Sequence, residues 1–318
     1  MRAAGVTEFG GPVRVLDLPG PRPLRADEVL LDVQASGVAN WDEFIRTGGW
    51  DTGARPPMAL GVEAAGLVTA IGAEVTRVAV GDRVMTYSLP LRQQGAWAEQ
   101  LIAAAADVAV VPPAVPWAAA AVLPVPALTA DQALAAAGVR AGAGQTVLVH
   151  GAGGVTGGLL VQLAVHLGAT VLATAGAASV GRVAGLGAAH VLDYLAAGWP
   201  AQVRSLAGGG AAGVDAAVNA APAGAVDALA AVRDGGGLAT ITGDPPVAER
   251  GITVRAIEVV PDGPRLGALA ALLAAGALAV RTDRPRPLEQ AAAALDLVRH
   301  GAHGAAVVLD PRRPGSSR

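Results

Sequence analysis

The sequence predicts an α/β protein, with a doubly wound parallel-sheet domain inserted into a β-barrel domain made from both chain ends. Three observations carry that expectation. The segment Val147-Leu-Val-His-Gly-Ala-Gly-Gly-Val-Thr156 reads as a strand, a glycine turn and the start of a helix. Beyond it, short buried runs alternate with helical patterns, as in a parallel sheet covered on both faces. Before residue 110 the chain shows short alternating segments with recurrent glycines, the pattern of an all-β barrel.

Val29–Gln34 alternates with period two and reads as a half-buried strand. Residues 61–71 and 81–86 read as further strand-and-turn units. Residues 112–126 are proline-rich and mark a boundary. A helix over 127–137 is ended by Gly138. A strand at 146–150 precedes the glycine turn, and a helix over 155–167 ends at Gly168. On that helix Val155, Leu159, Leu163 and Leu167 recur every fourth residue and form one apolar face. Then follow a strand at 170–174, a helix at 179–186 and a short strand at 190–193. Buried strands are expected at 214–218 and 237–242, and helices at 264–275 and 287–299. The last strand, 305–309, is expected to return to the N-terminal β domain, and the ligand to sit in the cleft between the two domains.

The chain has 318 residues, 53% of them hydrophobic, enough for two domains with sizeable cores. A net charge of −3 gives no reason to expect nucleic acid or an anionic membrane as partner. There is no cysteine, which removes disulfides, a thiol nucleophile and thiolate-bound metal together. Every basic side chain is arginine, a usage that reflects a GC-rich coding sequence rather than a mechanism. Residues 108–130 are uncharged, but Pro112, Pro113, Pro116, Pro124 and Pro126 interrupt them. Residues 266–280 are uncharged but shorter than the ~20 residues a span needs. The N-terminus carries no apolar signal core, so a soluble cytoplasmic protein is expected. The tail, residues 311–318, reads as loose.

The glycine turn has the layout of a dinucleotide site. Gly151 and Gly153 permit a tight turn and close approach to a diphosphate, and the helix start at Gly154 and Val155 offers free N–H groups. No Asp or Glu occurs from Gly151 to Leu192. A site selective for NADH places an acid about 20 residues past the glycines, on the ribose hydroxyls. Here Ser179 and Arg182 follow the second strand instead, and Arg presents fork-shaped donors suited to phosphate. NADPH is therefore the expected cofactor. Thr156 stands at the sixth position of the fingerprint, where glycine is common, which predicts a helix held slightly off the sheet.

In order along the chain stand Thr7-Glu-Phe-Gly-Gly-Pro12, Ser36-Gly-Val-Ala-Asn-Trp-Asp42, Gly61-Val-Glu-Ala-Ala-Gly66 and Gly81-Asp-Arg-Val84. Gly95-Ala-Trp-Ala-Glu99, Pro126-Ala-Leu-Thr-Ala130, the glycine turn, Leu186-Gly-Ala-Ala-His-Val-Leu-Asp-Tyr194 and Pro287-Leu-Glu-Gln-Ala-Ala complete the series. No single piece is specific, but the ordered set resembles the medium-chain dehydrogenase/reductase superfamily, in its zinc-free quinone oxidoreductase-like branch. The resemblance covers nearly all of residues 1–310. It implies a GroES-like β-barrel catalytic domain (1–118 and 264–318) and a Rossmann-type dinucleotide-binding domain (119–263). Zinc-dependent relatives need a Cys near residue 36 and a His in a Gly-His-Glu element, and this chain has Ser36 and Val62 there. Asp42 and Glu63 alone are too few donors for tetrahedral zinc, so no metal is expected.

The resemblance also implies roles for single residues. Thr129 matches a threonine that faces the nicotinamide, and Tyr194 a tyrosine near the adenosine. Asn219, Thr242 and Gly243 fall at strand ends, where open α/β sheets bind ligands; Asn219 reads equally as a turn cap. Asn40, Trp41 and Asp42 fall in the segment that lines the substrate cleft, with Asp42 orienting a water or pairing with Arg46. Phe44 replaces a tyrosine common in relatives. Tyr87 is then the candidate proton donor, with solvent as the other source. Trp41, Trp50 and Trp97 read either as a pocket for a flat substrate or as core. The five histidines show no ligand spacing and read as structural.

The expected activity is NADPH-dependent, enoyl-reductase-type hydride transfer to a quinone or to the C=C of an α,β-unsaturated carbonyl. Two other readings stay open on the same fold: a non-redox cyclase or lyase, and a non-enzymatic NADPH-binding protein. The resemblance further implies a homodimer paired through an edge strand, for which residues 252–257 are the candidate.

Overall fold

The computed structural model describes residues 1–208 and 213–313. The chain opens with strands β1 (Arg2–Val6), β2 (Arg14–Asp17) and β3 (Glu28–Val38), helix α1 (Trp41–Thr47), and strands β4 (Met58–Ala59), β5 (Glu63–Ile71), β6 (Arg83–Tyr87), β7 (Gln100–Ala104) and β8 (Val108–Val110). Helices α2 (Trp117–Ala121) and α3 (Pro124–Ala136) follow. Alternation then begins: β9 (Thr146–His150), α4 (Val155–His166), β10 (Thr170–Ala175), α5 (Val180–Gly185), β11 (His190–Asp193), α6 (Trp199–Leu206), β12 (Val214–Asn219), α7 (Ala225–Ala231), β13 (Val232–Thr240) and β14 (Thr253–Ala256). The chain ends with α8 (Gly263–Ala274), α9 (Ala291–Arg299) and β15 (Val307–Leu309).

Two compact units result. The first comprises residues 1–125, 260–276 and 280–318, and the second residues 126–259 and 277–279. The proline-rich stretch therefore divides at 125/126, beyond the expected 118/119. The reason is α2, which packs on β3 and β5 and so stays with the first unit. Far from being only a boundary, that stretch contains α2 and the first turn of α3, whose Pro124 and Pro126 fall where a helix still tolerates missing N–H donors.

The first unit is antiparallel. A three-stranded sheet runs β2-β1-β4, and a six-stranded sheet runs β15-β3-β5-β6-β8 with β7 also paired to β3. The returning strand β15 pairs with β3, Val307 opposite Val38, which closes the unit from both chain ends. Val29, Leu31 and Val33 on β3 point into a core with Val68, Val84, Leu101 and Val108. Each such side chain contributes roughly 1.5–3 kcal/mol by leaving water. Glu28 is buried beside them because the Arg22 guanidinium grips it from both oxygens at 2.7 Å. That pairing holds the Glu28 carboxyl down at about 2.

The tail is tied to this unit as far as it is described. Arg312 pairs with Asp32 at 2.9 Å, and Arg313 donates to Pro285 O at 2.8 Å, so residues 311–313 are held rather than loose. The remainder of the expected loose tail, 314–318, lies outside the described residues.

The second unit is one parallel sheet in the order β11-β10-β9-β12-β13-β14. Numbered from β9, this is 3-2-1-4-5-6, the doubly wound order that reverses direction beside the first strand. Its core joins Leu148, Leu172, Leu192, Val203, Leu229 and Leu238. The central strands β9 and β10 are apolar between their first residue and their C-terminal ends. There four adjacent strands each bury a polar residue: Thr174, His150, Asn219 and Thr240. Buried polar groups need partners, and these four supply them to one another and to the adjoining turns. Strand β14 is the outer strand, and three of its four residues are exposed. Among the described residues no helix is long and apolar enough to cross a membrane.

Candidate functional site

The glycine turn between β9 and α4 is fixed by close backbone packing. Gly151 adopts φ +89°, and a methyl there would press on the Ala220–Ala221 peptide, so no L side chain fits. Gly153 is different: a methyl would touch only Ser179, at 3.5 Å or more, so the turn presents an open face there. Gly154 is the N-cap of α4 in extended conformation, and no side chain caps the helix start that Val155 opens. A helix start without a side-chain acceptor is a ready anion site. Thr156 does not hold the helix off the sheet. The close contact is made by Gly157, where a methyl would run into Gly151 O and the Ala152 Cα. The packing glycine is therefore one position later than the usual fingerprint places it.

Ser179 and Arg182 do come together at this turn. The 3₁₀ turn 177–179 leads into α5, so the two residues sit three apart on one face. Arg182 Nη2 donates to Gly153 O at 2.6 Å and to Ser179 Oγ at 3.2 Å. The Tyr194 ring covers the end of β10, so close to Gly176 that a methyl there would meet it at 3.3 Å. Tyr194 is half exposed and can present a ring face to a ligand.

Beyond the switch point, Asn219 is wholly buried. Its amide donates to Thr240 Oγ1 at 3.1 Å and Thr242 Oγ1 at 2.9 Å, and its carbonyl accepts from Ala221 N–H at 3.1 Å. Asn219 thus ties the ends of β12 and β13 together and caps its own turn. Thr242 also donates to Asp244, a partner that no local motif signals, and Gly243 takes φ +74° to make that turn. Thr129 is buried on α3, a full turn inside the helix rather than at its start.

In the first unit, Asn40, Trp41 and Asp42 form the entry to α1. Asn40 is exposed and makes no capping bond. Trp41 is half-buried. Asp42 is 1% exposed and turned inward, where Oδ2 accepts from Ala39 N–H at 2.8 Å while Oδ1 has no hydrogen-bond partner. The expected pair with Arg46 does not form. Arg46 instead grips Glu43 at 2.7 Å and the carbonyls of Gly10 and Gly11, because the Asp42 carboxylate is turned inward onto Ala39 N–H while Glu43, three residues from Arg46 on α1, stays within reach at the surface. Burial pushes the Asp42 carboxyl up to about 8, against the Ala39 and Gly61 amides, which favour the charge.

Glu63, which the sequence marks only as one of too few metal donors, is the neighbour that matters electrostatically. It is buried on β5, accepts from Val125 N–H at 2.9 Å, and is pushed up to about 8 by burial, with the Asp42 charge adding to the shift. Tyr87 stands opposite Glu63 in the β5–β6 register and is 0% exposed. Burial and the Glu63 charge raise its phenol well above the ordinary tyrosine range. Tyr87 is therefore a buried residue at the end of β6. Trp97 is likewise core, its indole N–H donating to Gly37 O at 2.8 Å, and it forms no pocket wall. Trp50 stays half-buried, and Phe44 is 61% exposed.

The residues present do not fit a tetrahedral zinc. Val62 offers no donor, the chain has no cysteine, and no three His, Cys, Asp or Glu side chains converge among the described residues. Burial raises both the Asp42 and the Glu63 carboxyls, which disfavours the charged form that a metal ligand needs.

Comparisons with known proteins agree with this geometry. A family model described as "Alcohol dehydrogenase GroES-like domain" matches residues 25–113, and one described as "Zinc-binding dehydrogenase" matches residues 186–309. The quinone oxidoreductase of Lama guanicoe is 39% identical over 194 residues, 60% of this chain and 57% of that one. The chain thus spans little more than half the length of this curated relative. A solved mycobacterial quinone oxidoreductase is 31% identical with a TM-score of 0.82, covering 98% of this chain and 100% of that one. A mycobacterial protein solved in complex with NADPH is 32% identical with the same TM-score and coverage.

Proposed function

The chain belongs to the medium-chain dehydrogenase/reductase superfamily, in its quinone oxidoreductase-like branch, and on that premise we propose that it is an NADPH-dependent reductase that passes hydride to a quinone or to the C=C of an α,β-unsaturated carbonyl without using a metal. The observation that carries this reading is the Arg182–Ser179–Gly153 cluster at the end of β10, in a stretch with no carboxylate from Gly151 to Leu192. The solved NADPH complex of a 32%-identical protein supports the same choice of cofactor.

When bound, the cofactor supplies a hydride from its nicotinamide ring. The chain's own residues bind and orient. Gly151, Gly153, Gly154 and Val155 form the turn and helix start that receive the diphosphate, with the Gly151 and Gly154 amides bonded within the turn. Ser179 and Arg182 hold the 2′-phosphate, and Tyr194 flanks the adenosine. Thr129, Asn219, Thr242 and Gly243 line the nicotinamide end. Asn40 and Trp41 contact the substrate, and Asp42 locks the turn that presents them. Burial raises both the Asp42 carboxyl and the Tyr87 phenol and leaves neither exposed, so the product takes its proton from solvent. Catalysis then rests on holding two flat molecules face to face.

Loss of NADPH absorbance with a panel of quinones and enones tests the reading. Consumption clearly faster with NADPH than with NADH supports it. Tight NADPH binding without consumption across the panel would move the assignment to a non-redox cyclase or lyase, or to a nucleotide-binding protein. We also propose a cytoplasmic homodimer that pairs through β14, whose exposed edge suits strand addition; sedimentation of the wild type as a monomer would rule out that assembly.

A further inference from the structure

His150 is the last residue of β9 and directly precedes the glycine turn. It is 4% exposed. Its Nδ1 lies 2.6 Å from Thr174 Oγ1, and the same oxygen accepts from Gly151 N–H at 3.1 Å. Ala152 N–H donates to the Thr174 carbonyl at 2.9 Å. Both faces of Thr174 thus hold the first two residues of the turn. The imidazole is stacked on Trp199 of α6, with ring centroids 4.7 Å apart and planes 18° from parallel. Gly224, the N-cap of α7, closes the Nε2 side so tightly that a methyl there would collide with the ring.

The proton inventory of this group turns on the imidazole tautomer. A threonine hydroxyl has one proton and two lone pairs. One lone pair accepts from Gly151. With neutral His150 protonated on Nε2, the hydroxyl donates its proton to Nδ1 while it accepts from Gly151. An imidazolium carries a proton on Nδ1 as well. The hydroxyl then accepts on both lone pairs, and its own buried proton loses the Nδ1 acceptor, which weakens the hold of Thr174 on the turn.

We propose that His150 is a positioning residue that, through Thr174, holds the start of the glycine turn in the conformation that receives the cofactor diphosphate, so that nucleotide affinity falls when the imidazole takes up a proton. This rests on the nucleotide-binding reading above. The groups facing the ring are Thr174 from β10, Trp199 from α6, Asn219 from β12, and Gly224 and Asp227 from α7; Asp227 is the charged one. Burial holds the imidazole below its ordinary value, and the weaker pull of Asp227 opposes this.

The test is calorimetric binding of NADP⁺ and NAD⁺ to the wild type between about pH 5 and pH 8. The 2′-phosphate itself titrates near pH 6, so the fall in affinity must appear with NAD⁺ as well. The stacked Trp199 reports the ring independently: its fluorescence, taken as the difference between wild type and Trp199→Phe, follows protonation of His150. Affinity for both nucleotides should fall across the pH range where that signal changes. Thr174→Val should weaken both by about fivefold at neutral pH and remove the pH dependence, and Thr174→Ser should restore both. Affinity that stays flat or rises while the Trp199 signal titrates would overturn the proposal. So would wild-type affinity in Thr174→Val. Failure of the wild type to bind either nucleotide at any pH would instead remove the underlying cofactor reading, and the proposal with it.

Discussion

The proposed choice of NADPH rests on one side chain, Arg182. Its guanidinium is already oriented by Gly153 O and Ser179 Oγ, so little rotamer freedom remains to be lost when a phosphate arrives. Arg182→Ala should raise the KM for NADPH about tenfold or more and leave that for NADH nearly unchanged, since a hydrogen bond to a charged group contributes roughly 1.5–3 kcal/mol. Equal losses for both cofactors would mean that Arg182 supports the turn rather than the 2′-phosphate. Tyr87 poses the opposite case. Its phenol has the right chemistry for an acid but is buried. Tyr87→Phe should keep most of the turnover; a loss of about a hundredfold or more would restore it as the proton donor.

At the level of elements, glycine is the informative residue in α4 and α5. Gly157 packs α4 directly against the turn that follows β9, and a methyl has no room. Gly157→Ala should destabilise the second unit by about 1–3 kcal/mol through overpacking and weaken nucleotide binding at the same time. Gly181, within α5, has open space around its Cα. Gly181→Ala should stabilise by roughly 0.5–1 kcal/mol, because alanine loses less backbone freedom in a helix. Thermal melts of the two variants give opposite signs if the packing is as described. Strands β9 and β11 fall where the sequence puts them, because apolar runs bounded by glycine leave little choice. Strand β13 starts at Val232 and not at 237. Its opening Val-Arg-Asp-Gly-Gly reads as a turn, yet it pairs with β12 through an irregular register that only the neighbouring strand imposes. Helices α1, α6 and α7 are too short for periodicity to reveal, at seven or eight residues each.

For the molecule as a whole, buried carboxyls give the stability curve two limbs. Asp42 and Glu63 are raised to about 8 in the folded state, above unfolded values near 4. Between those values the folded chain binds protons that the unfolded chain has released. Stability therefore falls as pH rises through this window, by up to about 1.4 kcal/mol per pH unit for each group, and levels off beyond it. Glu28 acts with the opposite sign. Arg22 lowers it to about 2, so its contribution is present at neutral pH and is lost as pH falls from about 4.5 toward 2. Melting temperature should be highest in mildly acidic solution. Asp42→Asn should flatten the decline toward pH 8, and an unchanged slope would show that Asp42 is ionised in the folded protein.

The sequence by itself determined the class of fold, the glycine turn and the motif order that places the chain in its family. These are local signals: periodicity, glycine at a strand end, and short runs in fixed succession. Ser179 and Arg182 were legible for the same reason, since the strand before them fixes where they lie. Only the tertiary structure decided which polar residues are enclosed. Asp42 turns inward while Glu43 takes Arg46, Tyr87 and Trp97 become core, and Gly157 takes the packing role that position 156 was expected to fill. It also gave His150 its place between Thr174 and Trp199, residues 24 and 49 positions away. Burial and partner choice depend on residues brought together from distant parts of the chain, and no local pattern encodes them.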